Sequence, residues 1–93
     1  MKQFITIEKS NNLQALGFPA WEVYDISDLL AILPKSIHNI NGDNYLNIIA
    51  ARNRWIVIYQ DRISCHELRR VSDRELVDAL YNMIITLKND CIL

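Results

Sequence analysis

Ser72-Asp73-Arg74-Glu75-Leu76-Val77-Asp78-Ala79-Leu80-Tyr81-Asn82-Met83-Ile84-Ile85-Thr86-Leu87-Lys88 is the stretch that decides the fold. Leu76, Ala79, Leu80, Met83, Ile84 and Leu87 recur at helical spacing and define one apolar face. Val77, Tyr81 and Ile85 widen it. Glu75, Asp78, Asn82, Thr86 and Lys88 fall largely outside it. Ser72 followed by Glu75 has the form of a capping box, so the helix is expected to open at Ser72 and run to about Lys88. A helix of about 16 residues is about 24 Å long and spans three or four strands.

The segment before it reads as those strands. Trp55-Ile56-Val57-Ile58-Tyr59 is rich in β-branched and aromatic residues. Tyr45 to Ala50 forms a second run. Ile37 to Ile40 forms another, joined to it by Asn41-Gly42, the favoured pair for a tight hairpin turn. Ala51 to Arg54 has no glycine and predicts a looser turn. Asp61 and Arg62 turn the chain again, and Ile63 to Arg69 is a candidate fourth strand.

Two shorter helices are expected upstream. Thr6 to Leu16 is the first, with Ile7, Leu13 and Leu16 as apolar contacts and Gly17 as its stop. The second opens at Asp25, an N-cap residue, with Asp28 at the third helical position. Ile26, Leu29, Leu30 and Leu33 line it, and Pro34 ends it. Phe18, Trp21 and Tyr24, in a segment expected to be extended or irregular, pin the connection onto the core. The class is therefore α+β: two short helices, a three- or four-stranded antiparallel meander, and a long C-terminal helix packed on the sheet.

Strand alternation makes both sheet faces apolar. Ile56 and Ile58 point one way, and Trp55, Val57 and Tyr59 the other. Leu46, Ile48 and Ala50 likewise oppose Tyr45, Asn47 and Ile49. An antiparallel sheet with one wet face alternates apolar and polar. Two covers suit the second face: the N-terminal helices with the Phe18–Tyr24 segment, or a second copy of the chain.

The 93 residues make one domain, and the 51% hydrophobic fraction argues for a folded chain. The net charge of −1 predicts no general attraction to nucleic acid or anionic membrane. Charge is unevenly spread: residues 35–74 hold seven Lys/Arg against four Asp/Glu, while both flanks are acidic. No apolar run approaches the ~18 residues of a membrane span. Two cysteines are too few for a secreted disulfide scaffold, and no signal peptide is visible. The expectation is a cytoplasmic chain, complete as it stands, with free thiols.

Reactive groups are sparse. Cys65-His66-Glu67 is the one cluster, but neighbours on a strand point to opposite faces, and Cys91 and His38 add no zinc spacing. Asp25 and Asp28 are accounted for as helix-start residues. No catalytic residue, cofactor or metal ligand is nominated, and the chain reads as a non-enzyme. The arginines all lie in the second half, mostly in turns. The candidate interaction surface is Tyr45, Arg52, Arg54, Trp55, Val57, Tyr59, Arg69 and Arg70, serving a protein partner or a homodimer. The alternative is nucleic acid, with arginines on phosphates and Trp55 or Tyr59 stacking on bases.

The order Asp28-Leu29-Leu30-x-x-Leu33-Pro34-x-x-Ile37, Trp55-x-Val57-x-Tyr59 and Glu75-Leu76-Val77-Asp78-Ala79-Leu80-Tyr81-x-Met83-x-x-x-Leu87-Lys88 resembles small α+β proteins encoded by phages and prophages, including Bacteroidetes-type mobile elements. The resemblance spans roughly residues 25–88. It implies an accessory protein carried on a mobile element. It carries over no catalytic residue, because its matching positions are core and cap.

Overall fold

A computed structural model describes residues 2–19, 23–39 and 42–93. Trp21, Glu22, Ile40 and Asn41 lie outside the described residues. The element order is α1 (Ile7–Ala15), α2 (Ile26–Ile32), β1 (Ser36–Asn39), β2 (Gly42–Ala50), β3 (Trp55–Asp61), β4 (Glu67–Asp73) and α3 (Leu76–Asn89). The strands form one antiparallel meander in the order β1-β2-β3-β4, and α3 packs on it. The α+β expectation holds.

Local chemistry explains the helix ends. In α2, Asp25 accepts from the Asp28 amide at 2.8 Å, and Asp28 accepts from the Asp25 amide at 3.0 Å, a complete capping box. In α1, Thr6 caps the start through the Lys9 amide. Gly17, at φ +95°, lets the Gly17 and Phe18 amides return to Gln14 and Leu13, a Schellman close. The same close ends α3, where Cys91 takes the left-handed position and Ile92 N–H returns to Leu87. Leu13 is fully buried as expected, but Ile7 is 60% exposed and faces solvent from the first turn of α1.

The start of α3 differs from expectation. Ser72 does not cap it. Ser72 lies inside β4, paired with Ile56 of β3, and its hydroxyl accepts from Arg54. Glu75 is the N-cap, with no side-chain bond into the helix, and Asp73 accepts from the Glu75 amide at 3.1 Å. The β3–β4 ladder supplies Ser72 with backbone partners, which outweighs a local cap. The fourth strand is correspondingly later than Ile63–Arg69: residues 62–66 form a loop, and the strand is Glu67–Asp73. Gly42 also moves from the turn into the ladder, as the partner of Asn39 at φ +134°. A Cβ there would sit 2.7 Å from Asp61 Oδ2, so any other residue would have to displace that carboxylate as well as adopt the positive φ.

One continuous core joins Ile5, Leu13, Tyr24, Leu29 and Leu33 of the N-terminal half to Val57 and Tyr59 of β3 and the buried stripe of α3. Tyr24 donates to the Pro19 carbonyl, which pins the connection, and Phe18 packs against the core. Tyr59 donates to the Pro34 carbonyl at 2.6 Å, tying the sheet to the end of α2. Burial pushes the Tyr59 phenol well above its ordinary value. Asp78 in α3 receives Lys9 at 3.0 Å and Lys2 at 3.1 Å, which straps the N-terminal segment to the helix. Burial pushes the Asp78 carboxyl up, but hydrogen bonds from the two ammonium groups outweigh it and hold it below the usual range.

The helices therefore gather on the side of the sheet faced by Val57 and Tyr59. The N-terminal helices do not cover the second face. No helix among the described residues is long and apolar enough to cross a membrane.

Candidate interaction surface

The register assigns every strand residue to a face. Leu46 pairs with Tyr59, Ile48 with Val57 and Ala50 with Trp55, all on the core side. Tyr45, Asn47 and Ile49 pair with Gln60, Ile58 and Ile56 on the other. Arg70 and Ser72 of β4 extend this second face, opposite Ile58 and Ile56. Its centre is three isoleucines. Ile58 is buried between its neighbours, Ile56 is half-buried and Ile49 is 44% exposed.

Arginines surround that centre. Arg54, in the β2–β3 turn, reaches the face and donates to Ser72 Oγ at 3.0 Å. Arg70 meets Glu67 at 2.6 Å. At the opposite end, the Arg62 guanidinium lies 4.2 Å from the Tyr45 ring centroid, a cation–π contact that occupies the ring.

The loop at residues 62–66 forms a wall at that end. Asp61 Oδ1 accepts from the Ile63 amide at 2.9 Å, the Ser64 amide at 2.8 Å and the Ser64 hydroxyl at 3.1 Å. These bonds, the Ser64 and Ile63 amides foremost, hold the Asp61 carboxyl below the usual range. Gln60 donates to the Cys65 carbonyl at 2.9 Å, and Cys65 sits at φ +61°. Ile63 stands at the loop tip, 95% exposed. An open cleft of about 540 Å³ runs between this loop and β2, lined by Gly42, Asp43, Tyr45, Asp61, Arg62, Ile63 and Ser64. A second, of about 280 Å³, adjoins it beside Lys35, Asn47, Gln60 and Cys65.

The residues nominated from sequence are dispersed. Val57 and Tyr59 are fully buried beneath the helices, so these two are not at the surface proposed for them, and Trp55 is half-buried against the same core. Alternation showed two apolar faces but not which one the helices would take. Arg69 also points to the core side and binds Asp90 at 2.6 Å, locking β4 to the end of α3. Arg52 is exposed in the β2–β3 turn, without an ion pair among the described residues. Tyr45, Arg54 and Arg70 share the open face. Ile49, Ile56, Arg62 and the 62–66 loop were not nominated. The Asp61-x-x-Ser64 spacing was the available signal for the loop.

Cys65 and His66 are exposed in that loop. Among the described residues no group of three or more His, Cys, Asp or Glu side chains is placed to hold a metal ion. The surface offers apolar burial and guanidinium charge. Comparison with models of known families, with curated proteins and with solved structures finds no match.

Proposed function

We propose that this chain is a non-enzymatic accessory protein of a phage or prophage, acting in the cytoplasm by docking a partner protein on the open face of its sheet. The single observation that carries the reading is the exposed Ile49 beside Ile56, on a face that no helix among the described residues covers. An antiparallel sheet face left to water is ordinarily polar. Isoleucines ringed by arginine and tyrosine have the composition of an interface core and its margin.

Affinity capture with wild type and with an Ile49→Ser/Ile56→Ser variant tests it. A protein held by wild type and lost by the folded variant supports the reading. The same proteins held equally by both overturn it.

A nucleic-acid reading has one favouring observation: Arg54 and Arg74 flank the Trp55–Asp73 pair at the end of the sheet that also carries Arg52. Against it, Arg69 and Arg70 are bound to carboxylates, and Arg62 lies at the other end. Charge reversal at Arg52 and Arg54 with loss of a salt-sensitive gel shift would favour it.

A further inference from the structure

We infer that the N-terminal segment, residues 2–18, is a strap held to α3 by an ionic seam, and that it opens as a unit while the sheet, α2 and α3 stay folded. The strap lies on the helical side of the sheet, so its opening is separate from any docking on the other face.

The first ground is the chemistry of the seam. Glu75, Asp78 and Tyr81 recur every three residues and share one stripe along α3. Each takes a polar group of the strap. Glu75 Oε2 accepts from the Lys2 amide at 2.9 Å. Asp78 accepts from Lys9 Nζ at 3.0 Å and from Lys2 Nζ at 3.1 Å. The Tyr81 hydroxyl accepts from Asn12 Nδ2 at 3.2 Å, and Lys9 Nζ lies 5.1 Å from the Tyr81 ring centroid. The Lys2 and Lys9 side chains stay 38% and 33% exposed, so dissolved ions reach them. Ion pairs of that exposure hold weakly and are screened by salt.

The second ground is the shortage of apolar anchors. Ser10 and Leu13 are the buried residues of α1, and only Leu13 is apolar. Ile5 is buried and Phe18 packs partly on the core, but Phe4 and Ile7 are exposed. By contrast, Leu80, Met83, Ile84 and Leu87 of α3 are all fully buried. A helix of 9 residues is marginal by itself in water, so α1 depends on its few attachments.

The third ground is Ser10. Its side chain is fully buried, and its hydroxyl has no hydrogen-bond partner among the described residues. An unpaired buried hydroxyl carries a desolvation cost that water removes on opening. Segments held by few apolar contacts and by solvent-reached polar bonds open before the whole fold does. Opening frees Asp78 and Tyr81, so what α3 presents to solvent follows ionic strength.

The test is native-state hydrogen exchange of the full isotope-labelled chain, read by NMR across a urea series. Amides 11–15 of α1 are compared with amides 83–87 of α3. The expected result is that the α1 amides share one opening, about a hundredfold or more frequent than the opening that exposes α3. Its urea slope should be the smaller, because less surface is exposed. Raising salt from about 0.05 M to about 1 M should make the α1 opening about fivefold or more frequent. Asp78→Asn should do the same at low salt. Ile58→Ala alters a buried residue on the face turned away from the helices. It should speed α3 exchange about tenfold or more and leave the α1 amides as in wild type. One free energy and one urea slope for both helices, or equal acceleration of both by Ile58→Ala, makes the fold a single cooperative unit and overturns the strap. A separate α1 opening that answers neither to salt nor to Asp78→Asn overturns the ionic seam.

Discussion

Ile49 of β2 and Ile56 of β3 are cross-strand partners on the side of the sheet turned away from the helices, while in the next pair along Val57 is fully buried in the core and its partner Ile48 stays 37% exposed. One step of the strand therefore separates a surface position from a structural one. Ile49→Ser should change unfolding free energy by no more than about 0.5 kcal/mol. Val57→Ala should cost roughly 2 kcal/mol, because Val57 is fully buried. Urea denaturation of the two variants checks the difference.

Asp78 links stability to pH. Its folded carboxyl titrates below the ordinary aspartate value. Its contribution is therefore present above the unfolded value of about 3.9 and is lost as pH falls through the lower folded value. Asp78→Asn should cost roughly 1–2 kcal/mol at neutral pH, with Lys2 and Lys9 free to resolvate. The gap between variant and wild type should begin to close as pH falls below about 3.9 and be gone once pH is below the folded value. Urea midpoints across that range read it.

Tyr59 acts at the alkaline end. Its buried phenol titrates above the ordinary value, so the folded state holds the proton more tightly than the unfolded chain. Wild type should lose stability as pH rises above about 10, the unfolded tyrosine value. Tyr59→Phe should cost about 1 kcal/mol at neutral pH by removing the bond to Pro34. It should then lack the Tyr59 part of the alkaline loss. Alkaline unfolding curves of both proteins decide this.

The two cap motifs should separate cleanly. Asp25→Ala removes a bond actually made to the Asp28 amide and should cost about 1 kcal/mol. Ser72→Ala removes only an exposed bond from Arg54, so it should cost less than about 0.5 kcal/mol. Equal losses in thermal or urea unfolding would return Ser72 to the helix cap.

The helices were legible because their signals are local. Asp25 and Asp28, Gly17, and the apolar stripe from Leu76 to Leu87 each act within a few residues. The errors arose where a long-range partner competed with a local motif. Ser72 and Glu75 have the spacing of a cap, but pairing with Ile56 keeps Ser72 in the strand. Asn41-Gly42 has the composition of a turn, but the ladder reaches Gly42. The candidate surface failed at Val57 and Tyr59 for a related reason. Both faces of β3 are apolar, and which one is buried shows only in long-range contacts such as Tyr59 to Pro34, which no spacing reveals. Tyr45, Arg54 and Arg70 were legible as surface residues, whereas their convergence with Ile49 and Arg62 depended on register.

Photo-crosslinking in the native host tests the open face most directly. A crosslinking residue is placed at Ile49 in one protein and at Ile7 in another, both exposed and on opposite sides of the fold. The account predicts a discrete adduct from Ile49, competed by excess wild type but not by Ile49→Ser/Ile56→Ser, and none from Ile7. Adducts from Ile7 alone, or Ile49 adducts that the variant competes as well as wild type, would contradict it.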